Sequence, residues 1–315
     1  MLEVPGLMRT TLIHNPKAGD GAAPDREALL AMLGTAGYDI RYQSSKEKGW
    51  ATALDQPTEL VVIAGGDGTV ARVVKAVLGR SVPLALLPVG TANNVATAIG
   101  LARVLFEEQI SGWKTAPRVS FDVGMARAPW GFGYFIEGLG AGLLAWAIPL
   151  PENEMSSAGD RRMERIARGW RLLRERLRQC RPERVEATLD GREISGDYLL
   201  FEAMNIPLVG PNLRLAPDAE SSDGLLDITV IDEARRAALD NYLAAGAAGR
   251  FEKLDVPRYR GRTLRIDWGG LGLHLDDRVW PDGREATPGP ALVELEIVDS
   301  LEFLVPASKA QHTRP

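Results

Sequence analysis

Gly65-Gly66-Asp67-Gly68-Thr69 follows the apolar run Leu60-Val61-Val62-Ile63-Ala64 and precedes a helix-like stretch from Val70 to Leu78. A glycine-rich strand-to-helix turn lets backbone N–H groups approach phosphate oxygens. The N-terminus of the helix behind it adds partial positive charge. Asp67 would repel a bare phosphate, so its chemistry is that of a group acting through Mg²⁺ or orienting a water or hydroxyl. Two further segments are built alike. Thr10-Thr11-Leu12-Ile13-His14 reads as a first strand and runs into Asn15-Pro16-Lys17-Ala18-Gly19. Leu84-Ala85-Leu86-Leu87 reads as a third strand and runs into Pro88-Val89-Gly90-Thr91-Ala92-Asn93-Asn94. Ligands of open parallel sheets bind outside the carboxyl ends of strands. Three polar, glycine-bearing strand ends in one half of the chain therefore suit a nucleotide site. In such a site Gly65, Gly66, Gly68 and Thr69 would hold phosphates, Thr91 and Asn93 could donate to them, and Asn15 and Lys17 would line the first loop, Lys17 supplying positive charge. For any single turn, a tight connection with structural glycines is the competing reading.

The order NPKAG, GGDGT, PVGTANN resembles the catalytic domain of the diacylglycerol kinase family, most closely its soluble bacterial lipid kinases. Ser222-Asp223-Gly224-Leu225-Leu226-Asp227 looks like the family's D-G-x-L-D element. GGDGT alone is shared with NAD kinases and phosphofructokinases; the four blocks together, spanning residues 15 to 227, are more specific. The resemblance implies an N-terminal Rossmann-like α/β nucleotide domain followed by a C-terminal β-sandwich, with the active site in the cleft between them. It implies an ATP- and Mg²⁺-dependent kinase that phosphorylates the hydroxyl of a diacylglycerol-like lipid at a membrane surface. Ser45 matches a nucleotide-contacting Thr/Ser position. Asp223 matches the side-chain ligand of a structural Mg²⁺, with Glu220 and Leu225 contributing main-chain oxygens; a plain Asp-Gly turn is the alternative.

Departures from the pattern gather around the expected centre. Asn94 stands where the family carries Asp, and Ala71 and Arg72 where Asn and Glu are common. The family's D-G-E, whose Glu is assigned as base toward the lipid hydroxyl, has two competing matches. Leu273-His274-Leu275-Asp276-Asp277-Arg278 fits a strand entering the motif but puts Arg278 in the Glu position. Asp282-Gly283-Arg284-Glu285 carries the right residues with one inserted. Asp276 or Asp277 is then the candidate base, with Glu285 as substitute. An NAD kinase-like small-molecule kinase and a catalytically impaired nucleotide- or lipid-binding protein are the competing functions.

The elements that must position these residues follow from length and periodicity. A chain of 315 residues suits two domains. Residues 9 to about 117 alternate β-rich runs with helical stretches such as Ala22–Gly37, which argues for a parallel sheet with helices on both faces. From 118 to 299 short alternating runs with Gly and Pro turns argue for a β-sandwich, and residues 300–315 are expected to rejoin the first domain. Phe132–Leu150 could imitate a membrane span, but Glu137, Gly138, Gly140, Gly142 and Pro149 favour a strand, a tight turn and a short helix. Gly138-Leu139-Gly140-Ala141-Gly142 lacks the spacing of a dinucleotide fingerprint.

One helix is expected within the β-rich half, over 160–181. Met163, Ile166, Trp170, Leu173, Leu177 and Cys180 form its apolar stripe. Ten arginines from Arg161 to Arg184 surround it, a local excess of about +6 within a chain of net charge −5. A solvated helix face is one reading; a peripheral contact with anionic lipid head groups is the other. The net charge gives no field favouring nucleic acid. A single cysteine, Cys180, excludes an internal disulfide and a cysteine zinc site, and the three histidines lack metal spacing. The expected place is the cytoplasm, with peripheral contact at the inner membrane face, and a homodimer is compatible with the sequence.

Overall fold

The computed structural model describes residues 7–19, 23–101, 104–148, 161–281 and 289–306. The chain divides into two compact units, Met1–Phe121 with Ser300–Pro315, and Asp122–Asp299.

In the first unit β1 (Met8–His14) lies between β2 (Tyr38–Ser44) and β3 (Leu60–Gly65), and β3 pairs with β4 (Leu84–Pro88), all in parallel. All six residues of β3 are buried, which is why the strand is a continuous apolar run: covered on both faces, it has no solvent side. α1 (Arg26–Thr35) starts later than the predicted Ala22, where the Asp25 carboxylate accepts the Ala28 N–H at 2.9 Å. α2 (Asp67–Val77) starts earlier than the predicted Val70, behind the extended Gly66. Asp67-Gly68-Thr69 is therefore a first helical turn rather than a loop. α2 buries Val70, Val73, Val74 and Val77 against the sheet. Short helices α3 (Asn94–Ala98) and α4 (Phe106–Gly112), with a 3₁₀ helix over Trp50–Asp55, complete the unit's helices among the described residues. Its core joins Leu12, Leu29, Leu33, Val62, Leu87 and Trp113.

Two long strands, β5 (Arg118–Ala128) and β16 (Ala291–Leu304), connect the units along the chain. Within the first, Phe303 pairs in parallel with Leu84 and packs edge-on against Phe121.

The second unit is a β-sandwich. β10 (Gly196–Met204) runs antiparallel to β7 (Gly138–Gly142) and β11 (Leu226–Asp232); β11 continues to β12 (Arg258–Gly261), and β7 to β14 (Leu273–Leu275) and β15 (Arg278–Trp280). β8 (Glu183–Leu189), β13 (Leu264–Trp268), β16, β5 and β6 (Gly131–Phe135) form the facing set, with β9 (Arg192–Glu193) on β8. Phe135, Leu139, Phe201, Ile228, Ile266 and Leu295 interdigitate between them. Phe132–Leu150 resolves, as far as it is described, into β6, β7 and α5 (Leu143–Ala147).

The outer face of the β7–β10–β11 layer is covered by α5, α6 (Arg162–Leu177) and α7 (Arg236–Ala247). The predicted stripe of α6 is buried at Ile166, Trp170, Leu173 and Leu177, but Met163 lies off it, 57% exposed. α7 is an element that sequence reasoning did not expect. It follows a 3₁₀ turn capped by Asp232, and Gly246 lets it lie flat on Trp170, where any Cβ would come within 2.0 Å of the ring. Among the described residues no helix is long and apolar enough to cross a membrane.

Candidate active site

The three strand-end loops of the first unit interlock. Asn15 Nδ2 donates to Thr69 Oγ1 at 3.2 Å, and Asn15 Oδ1 accepts the Lys17 N–H at 3.1 Å. A Cβ on Gly90 would stand 2.3 Å from the Gly66 Cα, and a Cβ on Gly65 only 2.5 Å from that of Thr69. Gly19, at φ +85°, sits where a Cβ would meet the Val89 carbonyl at 2.5 Å. These glycines serve close backbone approach. Asn93 takes the left-handed conformation, φ 53°, and is a staple. Its Oδ1 accepts the Gly90 N–H, and its Nδ2 donates to the Pro88 and Gly90 carbonyls at 3.1 and 2.9 Å.

Asp67 joins the second loop to the third: its carboxylate accepts the Val95 N–H at 3.0 Å, over the first turn of α3. Burial pushes its carboxyl up, while backbone N–H groups from Val95 and Asn94 pull it down. Asn94 is buried beside it. Lys17 is exposed and Thr91 half-buried. Ser45 is buried, with its Oγ lacking a hydrogen-bond partner. Its carbonyl accepts from the Arg72 guanidinium at 2.9 Å, and Arg72 lies over the Trp50 ring, 4.9 Å from the centroid. Sequence reasoning noted Arg72 only as a departure; Trp50, two turns of chain beyond Ser45, was the missing signal. Burial lowers the His14 pKa and keeps the ring neutral beside the Tyr42 hydroxyl, 3.2 Å away.

In the second unit Asp276 and Asp277 form the β14–β15 turn. Asp276, at φ 52°, is buried. Its carboxylate accepts the N–H groups of Ile136, Glu137 and Gly138 at 3.0, 2.9 and 3.3 Å. That carboxylate holds the turn in place, which leaves the exposed Asp277 as the available acid of the pair. Glu285 lies outside the described residues. Behind the turn, His274 Nδ1 faces the Asp276 carbonyl at 2.9 Å, and its Nε2 faces both Glu202 oxygens at 3.0 and 3.1 Å. Gly140 makes room, since a Cβ there would fall 2.1 Å from the Glu202 carboxylate.

The Glu220–Leu225 segment differs from what the resemblance implies. Asp223 Oδ1 accepts the Leu225 N–H at 2.9 Å, and Oδ2 pairs with the Arg260 guanidinium. Both oxygens of the expected Mg²⁺ ligand are thus engaged. Among the described residues no group of three His, Cys, Asp or Glu side chains is placed to hold a metal ion. As they stand, Glu220, Asp223 and Leu225 do not fit a divalent cation.

Comparison with known proteins agrees with this architecture. The diacylglycerol kinase catalytic domain matches residues 9–126, and the YegS C-terminal NAD kinase beta sandwich-like domain matches residues 153–300. A diacylglycerol kinase of Mycobacterium tuberculosis is 28% identical over 300 residues, covering 91% of this chain and 94% of that protein. A probable lipid kinase, YegS-like, of Stenotrophomonas maltophilia is 27% identical over 246 residues, 70% of this chain and 75% of that one. The crystal structure of a diacylglycerol kinase from Bacillus anthracis, described as putative, superposes with a TM-score of 0.66 at 22% identity, over 96% of this chain and 98% of that one. With both matched domains in order along most of its length, the chain belongs to the diacylglycerol kinase catalytic-domain family.

Proposed function

We propose that this chain is a lipid kinase that transfers the γ-phosphoryl group of ATP to the hydroxyl of a diacylglycerol-like lipid. The observation that carries this reading is the interlock of three glycine-bearing strand ends, Asn15 with Thr69 and Gly66 with Gly90, in a member of that family. Phosphoryl transfer asks a protein mainly for positioning and charge stabilisation. The uncapped N-terminus of α2 and the N–H groups around Gly66 supply donors for phosphate oxygens, and Lys17 adds charge. The orphaned Ser45 hydroxyl is a further donor on this side. Magnesium arrives as part of the MgATP substrate.

In the transfer the lipid oxygen forms a bond to the γ-phosphorus, the bond to the β–γ bridging oxygen breaks, ADP leaves, and the hydroxyl proton passes to a carboxylate. Asp277 is the first candidate for that base and Glu285 the second. Contact with the lipid surface is assigned to α6, whose Arg176 lies over the ring of Trp146 on α5, itself 41% exposed.

The test is incubation with γ-labelled ATP and Mg²⁺ in mixed micelles of diacylglycerol, phosphatidylglycerol, sphingosine and ceramide, with NAD as a soluble competitor. Label in one lipid, lost in Gly90→Ala and reduced in Asp277→Asn, is expected. Label on NAD alone, or ATP binding without transfer to any lipid, would overturn the reading.

A further inference from the structure

The segment that the family resemblance equips with a divalent cation already holds a cation in its own chain. β11 and β12 pair antiparallel with Asp227 directly opposite Arg260. That register brings the Arg260 side chain to the loop preceding β11. There its guanidinium pairs with Asp223 and stands, through Nε, 3.7 Å from Asp227. Both carboxylates are largely covered, with side chains 19% and 11% exposed, so the attraction is less screened than at the surface. The rest of the loop is closed by hydrogen bonds that need no ion. Asp122 accepts the Gly224 N–H at 2.7 Å, and its own N–H donates to the Ser221 carbonyl at 2.7 Å. Asp223 caps Leu225.

We infer that the Arg260 guanidinium takes the place of a structural divalent cation at the Glu220–Leu225 loop, so that this unit needs no metal ion there. A hard divalent cation gathers six or more oxygens around itself. To sit at Asp223 it would have to displace Arg260, leaving a guanidinium beside a doubly charged ion with its own partner removed. Arginine does not deprotonate to relieve that repulsion. The two cations are therefore alternatives at one place. The inference is independent of the kinase reading: MgATP as substrate and a metal-free loop are compatible, and either can fail alone.

Thermal unfolding of the full chain without nucleotide tests it. The wild-type midpoint is expected to be the same in EDTA as in millimolar Mg²⁺ or Ca²⁺. Arg260→Gln, which keeps the hydrogen-bonding stem and removes the charge, is expected to lower the midpoint in EDTA. Recovery of that loss on adding Mg²⁺ or Ca²⁺ would show the freed acids accepting the ion the arginine replaces. If Arg260→Gln does not fold, Arg260→Lys, which keeps a cation, is expected to fold and to remain indifferent to added metal. Two outcomes would overturn the inference: a saturable rise of the wild-type midpoint with Mg²⁺ or Ca²⁺ that is lost in Asp223→Asn, or an Arg260→Gln protein as stable as wild type in EDTA.

Discussion

At the ends of β1, β3 and β4 polar loops are held by backbone against backbone: Gly66 on Gly90, Gly19 on Val89, and Asn93 folded onto its own loop. In the second unit the corresponding work is done by charge. Glu202 is set against His274, Asp276 against three backbone N–H groups, and Asp223 against Arg260. The contrast separates two requirements. Under the proposed function, a loop that offers N–H donors to an incoming anion cannot also fill itself with carboxylates, which would account for the glycine and amide here. Under the same proposal, a turn that only has to present one acid can be anchored by charges that find partners internally. Asp67 is the exception in the first unit, and it too is turned inward onto α3.

The largest effect is expected where the charge-held region is broken. Glu202→Leu leaves His274 without its partner at a fully buried position, and removal of one member of a buried pair costs about 3–5 kcal/mol. The double variant Glu202→Leu/His274→Leu should recover much of that. Urea denaturation of the singles and the double measures the coupling, and additive losses would break the distinction between the two regions. Next comes the backbone-held region. Gly90→Ala puts a Cβ 2.3 Å from the Gly66 Cα and should cost transfer activity roughly 100-fold, in line with the loss when phosphate-binding backbone is displaced. Fold stability should move far less. A variant with full activity would mean that this approach does not shape the site.

The sign of the pH dependence follows from the same buried pair. Burial opposes charge on His274, yet the Glu202 carboxylate, its hydrogen bond and the Asp276 carbonyl outweigh that and raise the ring above its ordinary value of 6.5. The folded state therefore holds the proton more tightly than the unfolded chain. The contribution is complete below pH 6.5 and is lost as pH rises through the higher folded value. Midpoints measured from about pH 6 to about pH 9 should decline in wild type and decline less in the double variant. Parallel declines would remove the pair from the account.

The glycine-bearing loops were legible because close backbone approach is a one-residue requirement: Gly65, Gly66 and Gly90 announce it wherever they stand. What each loop touches was less legible. The partner of Asp67 is Val95, 28 residues away, and only the parallel order of β3 and β4 brings them together. The same limit hid Glu202, an acid within the apolar run Leu199–Met204. Its meaning depends on the register that sets it opposite Gly140 across β7 and beside His274 on β14. β7 itself, three glycines in five residues, has poor strand propensity and is a strand because its neighbours leave no room for side chains. α7 was missed for a similar reason: its buried face, Leu239, Tyr242, Leu243, Ala245 and Gly246, ends on a glycine whose place is set only by Trp170 of α6, which also packs against Tyr242. Arg260 carried no signal at all in a short strand whose only other charge is a second arginine, Arg258, and it gained meaning from Asp227 opposite.

α6 extends the comparison to charge that faces outward. Arg174 is internally paired, with Nε and a terminal nitrogen each 2.9 Å from an Asp240 oxygen. Arg171 and Arg178 are exposed on the same helix, and Met163 and Trp146 offer apolar surface near by. If this face meets a membrane, its arginines act additively and at long range, unlike the buried pairs, and each basic residue near an anionic surface contributes roughly fivefold in partition. Arg171→Glu/Arg178→Glu should therefore weaken co-sedimentation with phosphatidylglycerol-containing vesicles by well over tenfold, leave binding to phosphatidylcholine vesicles unchanged, and leave the thermal midpoint close to wild type. Rising salt should erase the difference between the proteins, because screening acts on exposed charge. Equal sedimentation of variant and wild type at low salt would assign the arginines to solvation of the helix, and lipid contact would then have to come from another face of the second unit.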